Sequence, residues 1–173
     1  MKKLLFLFSL MLCSLCFSCS NDDNKLGDKA EEAWNHFVQK HLVGEWVPNK
    51  IEIKPIIGEV LLSTPYPHKD GCDRDILSMS ENFEGAFSVY SESCSIVNYP
   101  FKWKHQIGTL SFEFDNRILT AFLLKKSNEY LVLDFKAIDA LPILTKYYPD
   151  IATLPAEELA LLVVKVTFLK KAN

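Results

Sequence analysis

From Gly44 onward, apolar side chains recur at every second position in one segment after another. That period belongs to strands with one buried face; a helix would repeat its apolar positions every three to four residues. Leu77 and Met79, then Phe87 and Val89, then Phe101 and Trp103 mark one face each. So do Leu110, Phe112 and Phe114, then Leu131, Leu133 and Phe135, and finally Val164, Val166 and Phe168. The pattern predicts strands at about 45–54, 75–80, 85–91, 99–105, 109–115, 117–125, 129–136 and 159–170. Eight consecutive strands, most of them with one alternating apolar face, point to an all-β fold, read as an eight-stranded antiparallel up-and-down barrel. In the first strand Trp46 and the pair Ile51 and Ile53 have opposite parity, with Pro48 between them. A bulge at that proline would restore one inward face. The segment 117–125 is apolar at Ile118, Leu119, Phe122, Leu123 and Leu124, so its alternation does not choose a face.

A short helix precedes the strands. Asp28 and Glu31 form a capping-box pattern, and Ala30, Trp34, Phe37, Val38 and Leu42 recur at helical spacing up to Gly44. Between the strands the connections are uneven. Residues 81–84, 106–108 and 126–128 are short turns at one end, whereas 55–74 and 137–158 are long and share the other end. The second long segment carries Leu141, Ile143, Leu144, Tyr147, Tyr148 and Ile151. It is too apolar for a free loop and is expected to fold over the mouth as a helical or loop insertion before the last strand. Centring the 81–84 turn on Phe83 pairs Leu77 with Val89, Met79 with Phe87 and Cys72 with Cys94. Opposed residues of an antiparallel pair lie within disulfide range, so that register predicts a Cys72–Cys94 staple.

A helix leading into Gly44-Glu45-Trp46 at the start of the first strand is similar to the lipocalins. In that family a Gly-x-Trp motif follows a helix that closes the barrel base, and a long first connection covers the open end. The resemblance spans about residues 28–170 and gives Gly44 and Trp46 a structural role at the base. The family's Thr-Asp-Tyr motif is absent, with Lys125–Tyr130 in its place. The late arginine that packs on the tryptophan is missing too, which leaves Lys165 or Lys170 to substitute. The chain thus looks like a divergent, lipocalin-like group.

The N-terminus carries an address. Lys2 and Lys3 precede an apolar run from Leu4 to Phe17, of signal-peptide length. Ser18-Cys19 then resembles the cleavage site of a bacterial lipoprotein, with Cys19 as the acceptor of a palmitate-type lipid; the alternative is an ordinary secretory signal. Cys16 stands where that family usually has leucine. The polar, acidic stretch after Cys19 looks like the tether of Bacteroidota-type exported lipoproteins. The expected organisation is a signal peptide at 1–18, a lipidated tether at 19–27 and a barrel domain at 28–173. The resemblance implies a lipid anchor in the outer membrane and a position at the cell surface, with the periplasmic face as the alternative. Removing Cys13 and Cys16 with the signal, and Cys19 to lipid, leaves Cys72 and Cys94 as an even pair in an exported chain.

Composition narrows the function classes. A net charge of −3 argues against a nucleic-acid surface. The six glycines are scattered and form no phosphate-cradling motif. His36, His41, His68 and His105 show no metal-ligand spacing, and no Gly-x-Ser-x-Gly elbow occurs. Neither an enzyme nor a cofactor is expected. The interior of an eight-stranded barrel either fills with side chains or holds one small ligand. The residues expected to line such a site near the mouth are Ile53, Tyr66, Leu77, Val89, Phe101, Phe112, Phe114, Leu133, Phe135, Leu144 and Tyr147. Trp46, Met79, Phe87, Trp103, Leu110, Leu131 and Phe168 are expected to fall near the closed base. Two readings follow: a tethered protein that binds a small hydrophobic molecule, or a filled scaffold that docks another cell-surface protein.

Overall fold

The computed structural model describes residues 23–172, apart from 92 and 116. The segment read as a signal peptide and Cys19, read as the lipid acceptor, lie outside the described residues. Helix α1 spans Asp23–His41, so it takes in residues 23–27, which the sequence pattern had assigned to the tether. Of the described residues, 23–37 fall in one compact unit and 38–172 in another. In the first unit Trp34 and Phe37 stack with ring centroids 5.1 Å apart.

The second unit is the barrel. Its strands are β1 (Gly44–Pro55), β2 (Leu62–Pro65), β3 (Ile76–Met79), β4 (Glu84–Tyr90) and β5 (Ile96–Gln106), followed by β6 (Thr109–Phe114), β7 (Arg117–Lys126), β8 (Tyr130–Lys136) and β9 (Leu162–Lys170). Neighbours pair antiparallel in the order β2-β1-β3-β4-β5-β6-β7-β8-β9, and β1 pairs with β9 to close the cylinder. Eight strands therefore form a closed antiparallel barrel. The extra strand β2 lies along the upper part of β1, beyond the short reach of β3.

The first strand bulges between Pro48 and Lys50, which brings Trp46, Pro48, Ile51 and Ile53 to the inside, all buried. In β7, Leu119 and Ala121 face inward while Ile118, Phe122 and Leu124 face solvent, and a bulge follows between Leu123 and Lys125. The β3–β4 register differs from the sequence expectation by two residues: Leu77 pairs with Phe87 and Met79 with Gly85. The turn centres one residue earlier than expected, with Phe83 in the left-handed region (φ 61°) and Asn82 Oδ1 accepting from the Glu84 N–H at 3.2 Å. The Cys72–Cys94 disulfide forms nonetheless, with Cα atoms 5.1 Å apart. It lies beyond both strand ends, and Cys94 reaches it from a turn in which its own φ is 60°. Residues 159–161 were expected in the last strand, but Ala156–Ala160 form a short helix after Pro155, with Glu157 and Glu158 in its first turn. Acidic side chains there suit the positive helix N-terminus.

The base of the barrel is solid. Trp46, Trp103, Leu42, Leu110 and Leu131 are each at most 1% exposed. Trp46 donates its Nε1–H to the Leu42 carbonyl at 2.7 Å. Lys170, not Lys165, covers the tryptophan: its Nζ stands 4.4 Å from the ring centroid and donates to the Val43 carbonyl at 2.7 Å. A side chain at residue 44 would collide with that ammonium, and φ there is +127°, so the position demands glycine. Desolvation lowers the Lys170 pKa below the usual lysine value.

Candidate ligand cavity

At the other end, the long connections close over the barrel. The first runs through β2 and back to Cys72. The second forms helix α2 (Ala137–Tyr147), a 3-10 turn (Pro149–Thr153) and helix α3 (Ala156–Ala160). They meet where the Ile56 N–H donates to the Leu161 carbonyl at 2.9 Å. Below them lies an interior cavity of about 90 Å³ with an apolar wall.

An aromatic cluster makes one side. Phe101 meets Phe112 edge-on at 5.3 Å between centroids and Phe114 at 5.5 Å, while Phe135 lies 6.4 Å from Phe112. Phe101 can lean inward because its ring crosses Gly85, where no side chain stands. Leu77 and Phe87 continue the wall on β3 and β4, and Ala140 and Leu144 of α2 form the roof.

Tyr66 is the one wall residue that carries a side-chain hydroxyl, and that hydroxyl donates to Asp75 Oδ2 at 2.9 Å. Asp75 is buried, and its Oδ1 accepts the Tyr90 N–H at 2.8 Å. The carboxylate thereby ties the first long connection to the end of β4, above the point where β3 stops. The site offers shape and apolar contact, with no charged group in its wall.

Of the residues expected to line a site, Tyr66, Leu77, Phe101, Phe112, Phe114, Phe135 and Leu144 stand in the cavity wall. Ile53, Val89 and Leu133 are buried but lie outside it. Ile53 and Val89 are one inward step nearer the rim than Ile51 and Phe87, and Tyr66 and α2 close the space at that level. Leu133 is one inward step nearer the base than Phe135 and is fully enclosed by packing. Tyr147 ends α2, and its side chain is outside the described residues. The wall also includes Pro48, Ile51, Leu119, Ala140, Val164 and Val166, together with Phe87 and Phe168, which the sequence pattern had placed near the closed base. The void therefore reaches deeper than expected. The alternation in β9 and the expected bulge at Pro48 already placed Ile51, Val164, Val166 and Phe168 inside, whereas the pattern left the face of Leu119 open and did not place Pro48 or Ala140.

Among the described residues, no group of three or more His, Cys, Asp or Glu side chains could hold a metal ion. No family model matches the sequence, and no curated protein matches it. Among solved structures the chain is similar to lobster apocrustacyanin A1, a lipocalin, at 15% sequence identity and a TM-score of 0.42, over 89% of this chain and 71% of that one.

Proposed function

We propose that this protein is a lipid-tethered, lipocalin-like barrel at the outer membrane that binds a small apolar molecule in the cavity beneath α2. The cavity carries the reading: the base is packed solid, whereas the mouth half keeps an apolar void of about 90 Å³. Its size limits the occupant. A benzene-sized ligand occupies an apolar cavity of about 150 Å³, so this one takes a smaller guest unless α2 shifts outward. With no charged group in the wall, affinity comes from burial, and a ligand with a charged head would leave that charge outside. The tether rests on Ser18-Cys19 and the signal pattern before it; mass spectrometry of the protein purified from membranes would show an acylated Cys19 as the first residue.

The small volume favours one second reading, a filled barrel that acts as a scaffold docking another surface protein. The two separate by experiment. Xenon, titrated against the purified protein by NMR, is expected to perturb Phe101, Phe112 and Leu144. Resonances that do not move at saturating xenon would reject the ligand reading and leave the scaffold.

A further inference from the structure

The turn joining β1 to β2 is apolar where a turn in water is ordinarily polar. Ile57 is 91% exposed, Leu61 66% and Ile56 59%, and Leu161 beside them is 62% exposed. Val60 and Leu62 complete the cluster. Two backbone hydrogen bonds hold it in shape: Leu61 N–H to the Ile53 carbonyl and Ile56 N–H to the Leu161 carbonyl, both 2.9 Å. A held, contiguous cluster of this kind marks a contact surface.

The geometry points to the surface of a zwitterionic lipid bilayer as the partner that this tip enters. A stable protein interface engages about 20–30 residues a side and buries about 800 Å² per partner. The tip offers six aliphatic side chains, and it lacks the aromatic and arginine anchors in which protein interfaces are enriched. A fluid hydrocarbon layer needs no complementary shape, and a few aliphatic side chains at the headgroup boundary suffice for reversible docking. Charge selects the lipid. The turn carries Glu59, and Glu157 and Glu158 of α3 stand just before Leu161, whereas the nearby Lys54 ammonium is drawn to Asp134 at 3.6 Å. Anionic headgroups would be repelled. The docking stands whether or not the cavity takes a ligand.

The test places a polarity-sensitive fluorescent amino acid at position 57 of the full chain, or at position 107 as the comparison. Ile107 is 71% exposed in the β5–β6 turn, at the opposite end of the barrel. Vesicles of phosphatidylcholine, with and without phosphatidylglycerol, carry brominated acyl chains as quenchers. The expected result is a blue shift and quenching at 57 but not at 107, with no gain from the anionic lipid. Ile56→Asp with Leu61→Asp should lower the docked fraction seen from position 57 by roughly tenfold or more, since two buried aliphatic contacts are lost. Emission at 57 that stays water-like, equal shifts at 57 and 107, or an unchanged signal in the double variant would each overturn the proposal.

Discussion

A methyl group on Gly85 would run into the Ser78 carbonyl oxygen and the ring of Phe101. Neither neighbour can yield cheaply, since one is strand backbone and the other is wedged between Phe112 and Phe114. Gly85→Ala should therefore cost about 1–3 kcal/mol, the usual penalty of overpacking, read as a lower urea midpoint with an unchanged slope. Asp134 poses an electrostatic problem instead. It lies on the outer side of β8 between Leu133 and Phe135, where alternation alone predicts a solvated carboxylate, yet it is only 6% exposed. Its Oδ1 has no hydrogen-bond partner among the described residues. Desolvation raises its pKa above the ordinary carboxylate value, against the opposing pull of Lys54 and Lys165. The folded state then holds this proton more tightly than the unfolded chain does. Its contribution is fully present below the ordinary aspartate value and is lost as pH rises through the raised one. Denaturation of the wild type and Asp134→Asn across that window should show the wild type losing ground to the variant as pH rises. A constant gap would show that the proton is bound equally in both states. The alternation gave the side of the barrel on which Asp134 stands; it held no information on the lysines that cover it.

Among the elements, the β3–β4 hairpin shows how much a strand pattern conveys. A slip of two residues leaves every side chain on its original face, so the apolar alternation around Leu77, Met79 and Phe87 is satisfied equally by the expected and the observed register. Turn geometry chose between them, through Asn82, Phe83 and the missing side chain at Gly85. The disulfide survived because Cys72 and Cys94 lie past the paired residues, where the connecting turns absorb the difference. Its pairing was legible from the cysteine count once Cys13, Cys16 and Cys19 are set aside with the expected signal segment. Strand β2 was not legible: Leu62–Pro65 has no buried face and follows an exposed apolar turn, so periodicity had nothing to report. Because the disulfide closes a loop of 22 residues in sequence separation, Cys72→Ser with Cys94→Ser should lose about 3 kcal/mol. The same variant should loosen the Tyr66–Asp75 contact, since Asp75 follows the staple closely in sequence. Faster amide exchange at Tyr90, whose N–H donates to Asp75, would report that loosening; exchange at the wild-type rate would mean that the carboxylate holds the connection unaided.

Across the whole barrel the packing is uneven by design of its two ends. Short turns, Trp46, Trp103, Leu110 and Leu131 make one end dense, whereas the other is spanned by connections that must cover an opening wider than a single strand. Sequence parity says which side chains look inward, and it does so well here. It cannot say whether they meet in the middle, because that depends on how far Phe101 leans over Gly85 and how low α2 sits. Two substitutions turn this asymmetry into a measurement. Leu131→Ala in the dense end opens a new void among side chains that cannot collapse and should cost about 2–5 kcal/mol. Ala140→Leu in the roof adds three carbons toward space that already exists, so it should be neutral or stabilise by about 1 kcal/mol, as cavity-filling changes commonly do. If the void is the ligand site, the same Ala140→Leu protein should no longer respond to xenon. A roof variant that is more stable and empty of probe separates packing from binding. One that is destabilised by more than about 1 kcal/mol would mean that the mouth is already filled in solution.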